Sequence, residues 1–89
     1  MDSLPLVGEF LGTFLLAMSF LMSGNALVIG LVTAVLVLLL GGISGAHVNP
    51  AVSIAMFLKG SMGSMELVSY SVVQCMGAAA AWYAYKVLS

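Results

Sequence analysis

The sequence predicts an all-α membrane protein with three spanning helices and one short re-entrant half-helix. Two observations carry this prediction. Hydrophobic residues make up 63% of the 89 residues and charged residues only 6%, with a mean hydropathy of +1.24. Two lysines and three acidic residues cannot supply the charged surface of a soluble domain, whereas they suit a chain dissolved in lipid. The other observation is an Asn-Pro pair at residues 49–50, which interrupts the apolar sequence.

Residues 1–89 are interpreted as one unit, an integral membrane protein that crosses the bilayer several times. The first span covers about residues 4–23, which are apolar except for Glu9, Thr13 and Ser19. About twenty such residues cross the hydrocarbon core. The N-terminal segment lacks the basic region of a signal peptide, so we expect this span to belong to the mature protein. The net charge of −1 leaves no basic patch for nucleic acid.

The remaining spans are separated by turn signals. SGNA at residues 23–26 precedes a second span at about 26–43, and KGSMGS at residues 59–64 precedes a third at about 66–88. Between them, residues 49–58 form an apolar piece that rises only about 15 Å as a helix, half of the hydrocarbon core. This half-helix cannot cross, so it must return to its own side. Irregular backbone at that depth is tolerated only beside protein or a water-filled cavity, which indicates a pore or pocket near residues 41–48.

The Asn-Pro pair itself marks a helix start. Asn is a preferred N-cap and Pro is favoured at the first helical position. The helix N-terminus carries a partial positive charge, and the free amide of Asn49 can donate a hydrogen bond. Such a site repels cations and suits a neutral polar molecule, while carbonyl groups at residues 44–48 could serve as acceptors. Taken alone, the pair favours an ordinary boundary between loop and helix over a functional site.

Three segments strengthen the interpretation. SGAHVNPAVS (44–53) resembles the first signature loop of the aquaporin and glycerol-facilitator family, the major intrinsic proteins. GEFLGTFLL (8–16) and VVQCMGAAAA (72–81) are similar to that family's first and third helices. The resemblance implies an aquaporin-like half repeat and a passive channel for water or small neutral solutes, glycerol-like molecules or ammonia. It implies a pore signature at Asn49, Pro50 and Ala51. It also implies pore-lining backbone at Gly45, Ala46, His47 and Val48.

The resemblance also suggests the roles of other residues. Four apolar side chains would face the constriction, where the family places an arginine that this sequence lacks: Ile29, Val37, Ala46 and Val52. A path without that arginine favours a permissive channel. Glu9 and Gln74 would support the loop. His47 is the only histidine, so a metal site is not expected, and neither catalysis nor a cofactor is expected.

The family fold joins two inverted repeats, and this chain resembles the first. Lys59 and Lys86 are expected on opposite sides of the membrane, which leaves little bias in orientation. We therefore hypothesise an antiparallel homodimer of inverted copies, with a tetramer of dimers as its further assembly. Three alternatives stay open. A second chain could bring the other half, the chain could be a non-conducting scaffold or modulating subunit, or it could be a fragment without function.

Overall fold

The computed structural model describes residues 2–89 and contains four α-helices in that range: α1 (Ser3–Met22), α2 (Ala26–Leu40), α3 (Pro50–Lys59) and α4 (Ser64–Leu88). Each of the first three begins at a side-chain cap, because the carboxylate of Asp2 and the amide oxygens of Asn25 and Asn49 accept backbone N–H groups. The helix α3 ends at Gly60, whose φ of 91° only glycine adopts freely.

The helices pack in the spatial order α2, α1, α4, α3, with α1 and α4 at the centre. In residues 2–89, α2 packs on α1 alone and α3 on α4 alone. Gly77 of α4 lies directly against the carbonyl of Phe10 on α1, so the two central backbones touch. On the other side of α1, a Cβ atom at Gly12 would stand 2.7 Å from Leu40. Small residues thus permit both contacts of α1.

Contacts between α1 and α4 advance together along both helices, so these helices run parallel. Gln74 bonds to Glu9, and one turn later Gly77 meets Phe10 and Phe14. The N-terminus of α1 and the end of α3 at Lys59 therefore lie at one end of the molecule. The turn between α1 and α2 lies at the other end, together with Lys86.

The helix α3 begins beside the middle of α1. Val48 stands against Gly12, which lies about 14 Å along α1 from Ser3 at 1.5 Å per residue. With ten residues, α3 is about 15 Å long, so it returns to the end from which α1 starts. A half-helix is predicted at about residues 49–58, and α3 occupies Pro50–Lys59; its position as a re-entrant half-helix in a membrane stays a prediction.

Helix lengths bear on the predicted spans. Among the helices of residues 2–89, α1 alone is both long and apolar enough to cross a membrane; α4 is long enough at 25 residues but contains more polar side chains. The second span is predicted to residue 43, whereas α2 ends at Leu40 after 15 residues. It ends there because the chain curls so that the N–H groups of Ile43, Ser44 and Gly45 all bond to the Leu40 carbonyl. The crossing of a membrane by α2 and α4 stays a prediction.

Candidate pore loop and half-helix

The carboxylate of Glu9 is the centre of the site. It is fully buried on α1 and accepts four hydrogen bonds, two at each oxygen. Oε2 accepts from Ser44 Oγ at 2.6 Å and from the N–H of His47 at 3.1 Å. Oε1 accepts from the N–H of Val48 at 2.7 Å and from Nε2 of Gln74 at 2.7 Å. One acidic group therefore joins α1, the loop and α4.

These bonds fix the direction of the loop backbone. The N–H groups of three successive residues face the Glu9 side, since Ala46 donates to Ser44 Oγ while His47 and Val48 donate to the carboxylate. Every peptide bond in residues 2–89 is trans, so the C=O of each of these peptide units points opposite to its N–H. The carbonyls of Gly45, Ala46 and His47 therefore face away from Glu9. Within the described chain no donor bonds to the carbonyls of residues 45–48.

This arrangement requires a strained backbone. Ala46 and Val48 adopt φ angles of 54° and 46°, in the left-handed region that disfavours residues with a Cβ atom. A β-branched residue such as Val48 is rare in this region. The strain persists because the surrounding structure holds the conformation, chiefly through the bonds of Glu9 to the loop. Strained backbone beside buried polar groups is typical of functional loops.

A second set of polar side chains connects the loop to α3 and α4. Nδ1 of His47 lies 2.9 Å from Ser53 Oγ, and Nε2 of Gln74 donates to the same hydroxyl at 3.0 Å. The ring of His47 packs against that of Tyr70, with centroids 5.1 Å apart. Tyr70 donates from its hydroxyl to the carbonyl of Ser44 at 2.7 Å. The imidazole is thus buried as a support of the loop.

The N-terminus of α3 is built differently. The side-chain oxygen of Asn49 accepts the N–H of Ala51 at 2.8 Å, which leaves the amide NH₂ of Asn49 exposed and without a partner in the described chain. Pro50 has no N–H to satisfy. The N–H of Val52, in the first turn of α3, also has no partner among residues 2–89. Two donors at the positive end of a helix dipole are therefore left without partners in the described chain.

The predicted constriction residues do not form one cluster. Ile29 and Val37 lie eight residues apart on α2, which separates them by about 12 Å along the helix axis. Val52 lies on α3 and is 41% exposed, while Ala46 is buried in the loop. Since α2 and α3 do not pack together within residues 2–89, this chain places the four side chains at different depths and on separate elements.

Sequence reasoning placed Glu9 and Gln74 at the loop, and these two do meet there. It missed the side chains of Ser44, Ser53 and Tyr70, which complete the network. Tyr70 lies four residues before Gln74, on the same face of α4. This spacing of two polar-tipped side chains in an apolar helix is the signal that could have found it.

No group of three or more His, Cys, Asp or Glu residues that could hold a metal ion occurs in the described part of the chain. The polar groups of the site are directed at one another or are hydrogen-bond donors and acceptors without partners. Such an arrangement can exchange hydrogen bonds with a passing neutral molecule.

Comparisons with known proteins agree on one family. The family described as Major intrinsic protein matches residues 16–88. Aquaporin Z of Brucella melitensis is 43% identical over 58 residues, which cover 65% of this chain and 25% of that protein. Glycerol uptake facilitator protein-like 6 of Lactiplantibacillus plantarum is 36% identical over 89 residues, covering 90% and 41%. Lens fiber major intrinsic protein of Bos taurus is 47% identical over 55 residues, covering 62% and 21%.

The share of each protein that these matches cover decides what can be concluded from them. No solved structure matches the chain. The chain spans between about a fifth and two fifths of the length of these three relatives. The family match nevertheless extends over most of the chain and includes the loop, α3 and α4. The chain therefore belongs to the major intrinsic protein family.

Proposed function

We propose that this chain forms one half of a passive membrane channel for water or small neutral solutes. The observation that carries the proposal is the row of free carbonyls at residues 45–48, which ends at the exposed amide of Asn49. The carbonyl groups are hydrogen-bond acceptors, and the Asn49 amide is a donor. A neutral polar molecule that passes them can replace, one after another, the hydrogen bonds that it makes in water. The names of the relatives, aquaporin and glycerol uptake facilitator, support the same solutes.

The path would exclude cations by electrostatics. The positive end of the α3 dipole and the Asn49 amide lie beside the middle of α1. If α1 crosses the membrane, this point lies near the centre of the bilayer. A cation at this point meets a partial positive charge in a medium of low dielectric constant, while a neutral molecule does not. The pore signature in this proposal is Asn49, Pro50 and Ala51.

Selection among neutral solutes would depend on apolar walls. The side chains of Ile29, Val37, Ala46 and Val52 carry no hydrogen-bonding group, and the sequence contains no arginine. Walls of this kind select by width more than by hydrogen bonding. A permissive channel that passes water, glycerol-like molecules and ammonia is the consequence.

A complete pore needs a second half-helix. In the proposal, α1, α2 and α4 cross the membrane, and a second copy inserts upside down so that two Asn49 residues meet at the centre. The lysines support this pairing, because Lys59 and Lys86 lie at opposite ends of the molecule and give neither end an excess of positive charge. Four such pairs would assemble as a tetramer of pores. Inverted repeats within one chain achieve the same geometry in many transporters.

Stopped-flow light scattering on proteoliposomes tests the proposal. Vesicles that contain only this purified chain are expected to shrink faster in an osmotic gradient than vesicles without protein, and to admit glycerol. The Asn49→Asp variant keeps the oxygen that caps α3 but replaces the NH₂ donor with negative charge. We expect it to lose most of the flux.

Asn25→Asp is the matched control. Asn25 also caps a helix, with its oxygen accepting from Leu27 at 2.9 Å, but it lies in the turn between α1 and α2. This variant is expected to keep the flux of the parent chain. Folded protein that gives no flux above empty vesicles would contradict the homodimeric channel. In that case a second chain must supply the other half, or the chain is a scaffold or modulating subunit.

A further inference from the structure

The imidazole of His47 lies at the end of a chain of buried hydrogen bonds that begins at Glu9. Nε2 of Gln74 donates to Oε1 of Glu9 at 2.7 Å and to Oγ of Ser53 at 3.0 Å. The same Oγ lies 2.9 Å from Nδ1 of His47. Glu9, Ser53 and Gln74 are fully buried, so solvent does not compete for these bonds. A neutral imidazole donates from one ring nitrogen and accepts at the other, and the donors and acceptors along this chain decide which is which.

Glu9 sets the orientation of the Gln74 amide. Oε1 of Glu9 already accepts the N–H of Val48, and with the amide reversed the oxygen of Gln74 would face this acceptor. The NH₂ group therefore faces Glu9, and its second hydrogen is directed at Ser53. An amide nitrogen only donates. The hydroxyl hydrogen of Ser53 consequently cannot bond to Nε2 of Gln74.

One acceptor is left for the hydroxyl hydrogen of Ser53. Oε1 of Gln74 has no partner among residues 2–89, so it does not receive this hydrogen. The hydroxyls of Ser19 and Thr33 bond to carbonyls of their own helices, at 2.6 and 2.8 Å, whereas in the described chain that of Ser53 does not. Nδ1 of His47 remains. Because a buried donor without an acceptor is costly, Ser53 donates to Nδ1.

The proton of the imidazole is then on Nε2, next to Gly45. A Cβ atom at Gly45 would stand 3.1 Å from this nitrogen. Two buried side-chain atoms lack a partner in the described chain, Oγ1 of Thr13 and Oε1 of Gln74. Nε2 of His47 has no partner there either and is not one of these two, so it reaches the surface. The ring therefore offers a donor beside Gly45, whose carbonyl is one of the free acceptors of the loop.

We propose that Ser53 is a positioning residue, which fixes His47 as the neutral tautomer with its proton on Nε2. The loop surface beside Gly45 then presents an N–H donor and no basic nitrogen. A molecule that bonds to this donor must carry a lone pair, as water, the hydroxyl groups of a polyol and ammonia do, while an ammonium ion has none. The tautomer follows from the hydrogen-bond network alone, whereas the selection among solutes rests on the proposed function.

Nuclear magnetic resonance of the imidazole tests the tautomer. His47 is the only histidine, so a chain that is purified without a histidine tag and labelled with ¹⁵N,¹³C-histidine gives the signals of one ring. In lipid vesicles at neutral pH, the parent chain should favour the tautomer with its proton on Nε2 by roughly tenfold or more, because the alternative leaves a buried hydroxyl unpaired. A proton mainly on Nδ1, comparable amounts of both tautomers, or a doubly protonated ring would overturn the proposal.

Three variants separate the role of Ser53 from general support of the loop. Ser53→Ala removes the donor, so the Nδ1 signal should move and the preference for the Nε2–H tautomer should fall severalfold. Ser53→Thr keeps the hydroxyl and should keep the parent spectrum. Tyr70→Phe is the control, because it loses the bond to the Ser44 carbonyl and retains the ring that packs on His47, without touching either ring nitrogen. It should keep the Nε2–H tautomer.

An unchanged spectrum of Ser53→Ala, or changes of equal size in Ser53→Ala and Tyr70→Phe, would overturn the positioning role. Circular dichroism checks that each variant keeps its helix content. If Ser53→Ala does not fold, the spectra of the parent and of Ser53→Thr decide, since both must show the Nε2–H tautomer. Osmotic flux of the parent chain reports the channel separately: the Nε2–H tautomer without flux removes the channel and leaves the role of Ser53 standing.

Discussion

Glu9 shows how a single side chain can hold an unfavourable backbone. Two of the three loop residues that turn their N–H groups inward bond directly to its carboxylate, and the third bonds to Ser44, which itself bonds to Glu9. A buried carboxylate is costly unless its oxygens receive enough hydrogen bonds. Here the loop supplies three of the four, so the carboxylate and the strained loop stabilise each other.

Replacing Glu9 with glutamine removes part of the acceptor capacity that holds the loop. The amide has one acceptor oxygen, and its NH₂ would face two donors that Glu9 now satisfies. We expect the free energy of unfolding to fall by about 3–6 kcal/mol, because two hydrogen bonds to a carboxylate are lost at about 1.5–3 kcal/mol each. Denaturant titration in detergent measures it. Glu66→Gln is the control: its oxygen can still accept from Gly63, so the unfolding midpoint should barely move. Equal losses in both variants would contradict this role of Glu9.

Gly45 provides a second prediction about the loop. Its φ of 88° disfavours any Cβ atom, and a Cβ there would also stand 3.1 Å from Nε2 of His47. Gly45→Ala should therefore lower stability by about 1–2 kcal/mol, the usual cost of left-handed backbone. Gly42→Ala is a matched control, since nothing lies within 4 Å of a Cβ at that position and its φ is not positive.

Thermal unfolding followed by circular dichroism compares the two alanine variants. The Gly42 variant is expected to stay within about 0.5 kcal/mol of the parent. Similar stability of both variants would mean that the loop relaxes at Gly45, and that its backbone is less fixed than the bonds to Glu9 imply.

The residues of the network differ in how well sequence predicts them. Glu9 is the one acid within an apolar span, and such a group needs partners, so its role could be anticipated. Ser53 could not, because serine is ordinary in membrane helices, and Tyr70 is marked only by its spacing of four residues from Gln74. Their importance depends on the turn of the loop at Ala46 and Val48. That turn places positive φ angles at an alanine and a valine, and both residue types normally adopt negative φ angles.

At the scale of elements, the contact of α1 with α4 depends on the absence of a side chain at Gly77. A Cβ there would collide with the backbone carbonyl of Phe10 and lie 3.2 Å from the N–H nitrogen of Phe14. Backbone atoms cannot move aside as a flexible side chain does. Gly77→Ala is therefore expected to cost about 1–3 kcal/mol through overpacking.

Gly30 on α2 provides the matched control for the Gly77→Ala variant. Nothing lies within 4 Å of a Cβ atom there, so Gly30→Ala should stabilise the chain by about 1 kcal/mol through helix propensity. Unfolding of both variants in the same detergent gives the comparison. A Gly77 variant as stable as the parent would show that α1 and α4 separate readily, against the packing described.

Helix starts were easier to predict than helix ends. Asn25 and Asn49 are caps with a recognisable sequence, and the helices begin directly after them. The end of α2 was predicted three residues late, because Ile43 is apolar and continues the hydrophobic run. The helix ends earlier because Gly41 and Gly42 have low helix propensity. In addition, the N–H groups of Ile43, Ser44 and Gly45 all donate to the Leu40 carbonyl.

At the scale of the whole molecule, the arrangement in a membrane depends on the partner that completes the pore and on the orientation in which each copy is inserted. A single chain shows neither of these directly. The start of a helix depends mainly on local sequence, so sequence predicts it better than properties that involve a partner chain. The partner that would complete the pore is not local, because it depends on how the chain is inserted. Lys59 and Lys86 bear on that insertion, since positive charge near the spans favours the cytoplasmic side.

Variants with one lysine should insert in one orientation. Lys86→Gln leaves positive charge only at the end with Lys59, and Lys59→Gln leaves it only at the other end. If two inverted copies build the channel, each variant alone should lose most of the flux, and expression of both together should restore it. Glu66→Gln is the control, because acidic residues contribute little to orientation.

The measurement combines two readouts on membrane vesicles from expressing cells. A reporter fused to the C-terminus gives the fraction of copies in each orientation, and osmotic shrinkage gives the flux. The parent should show both orientations, and each single-lysine variant mainly one. Undiminished flux from a variant with a single orientation would rule out the inverted pair, since copies that all face one way cannot bring two half-helices together from opposite sides.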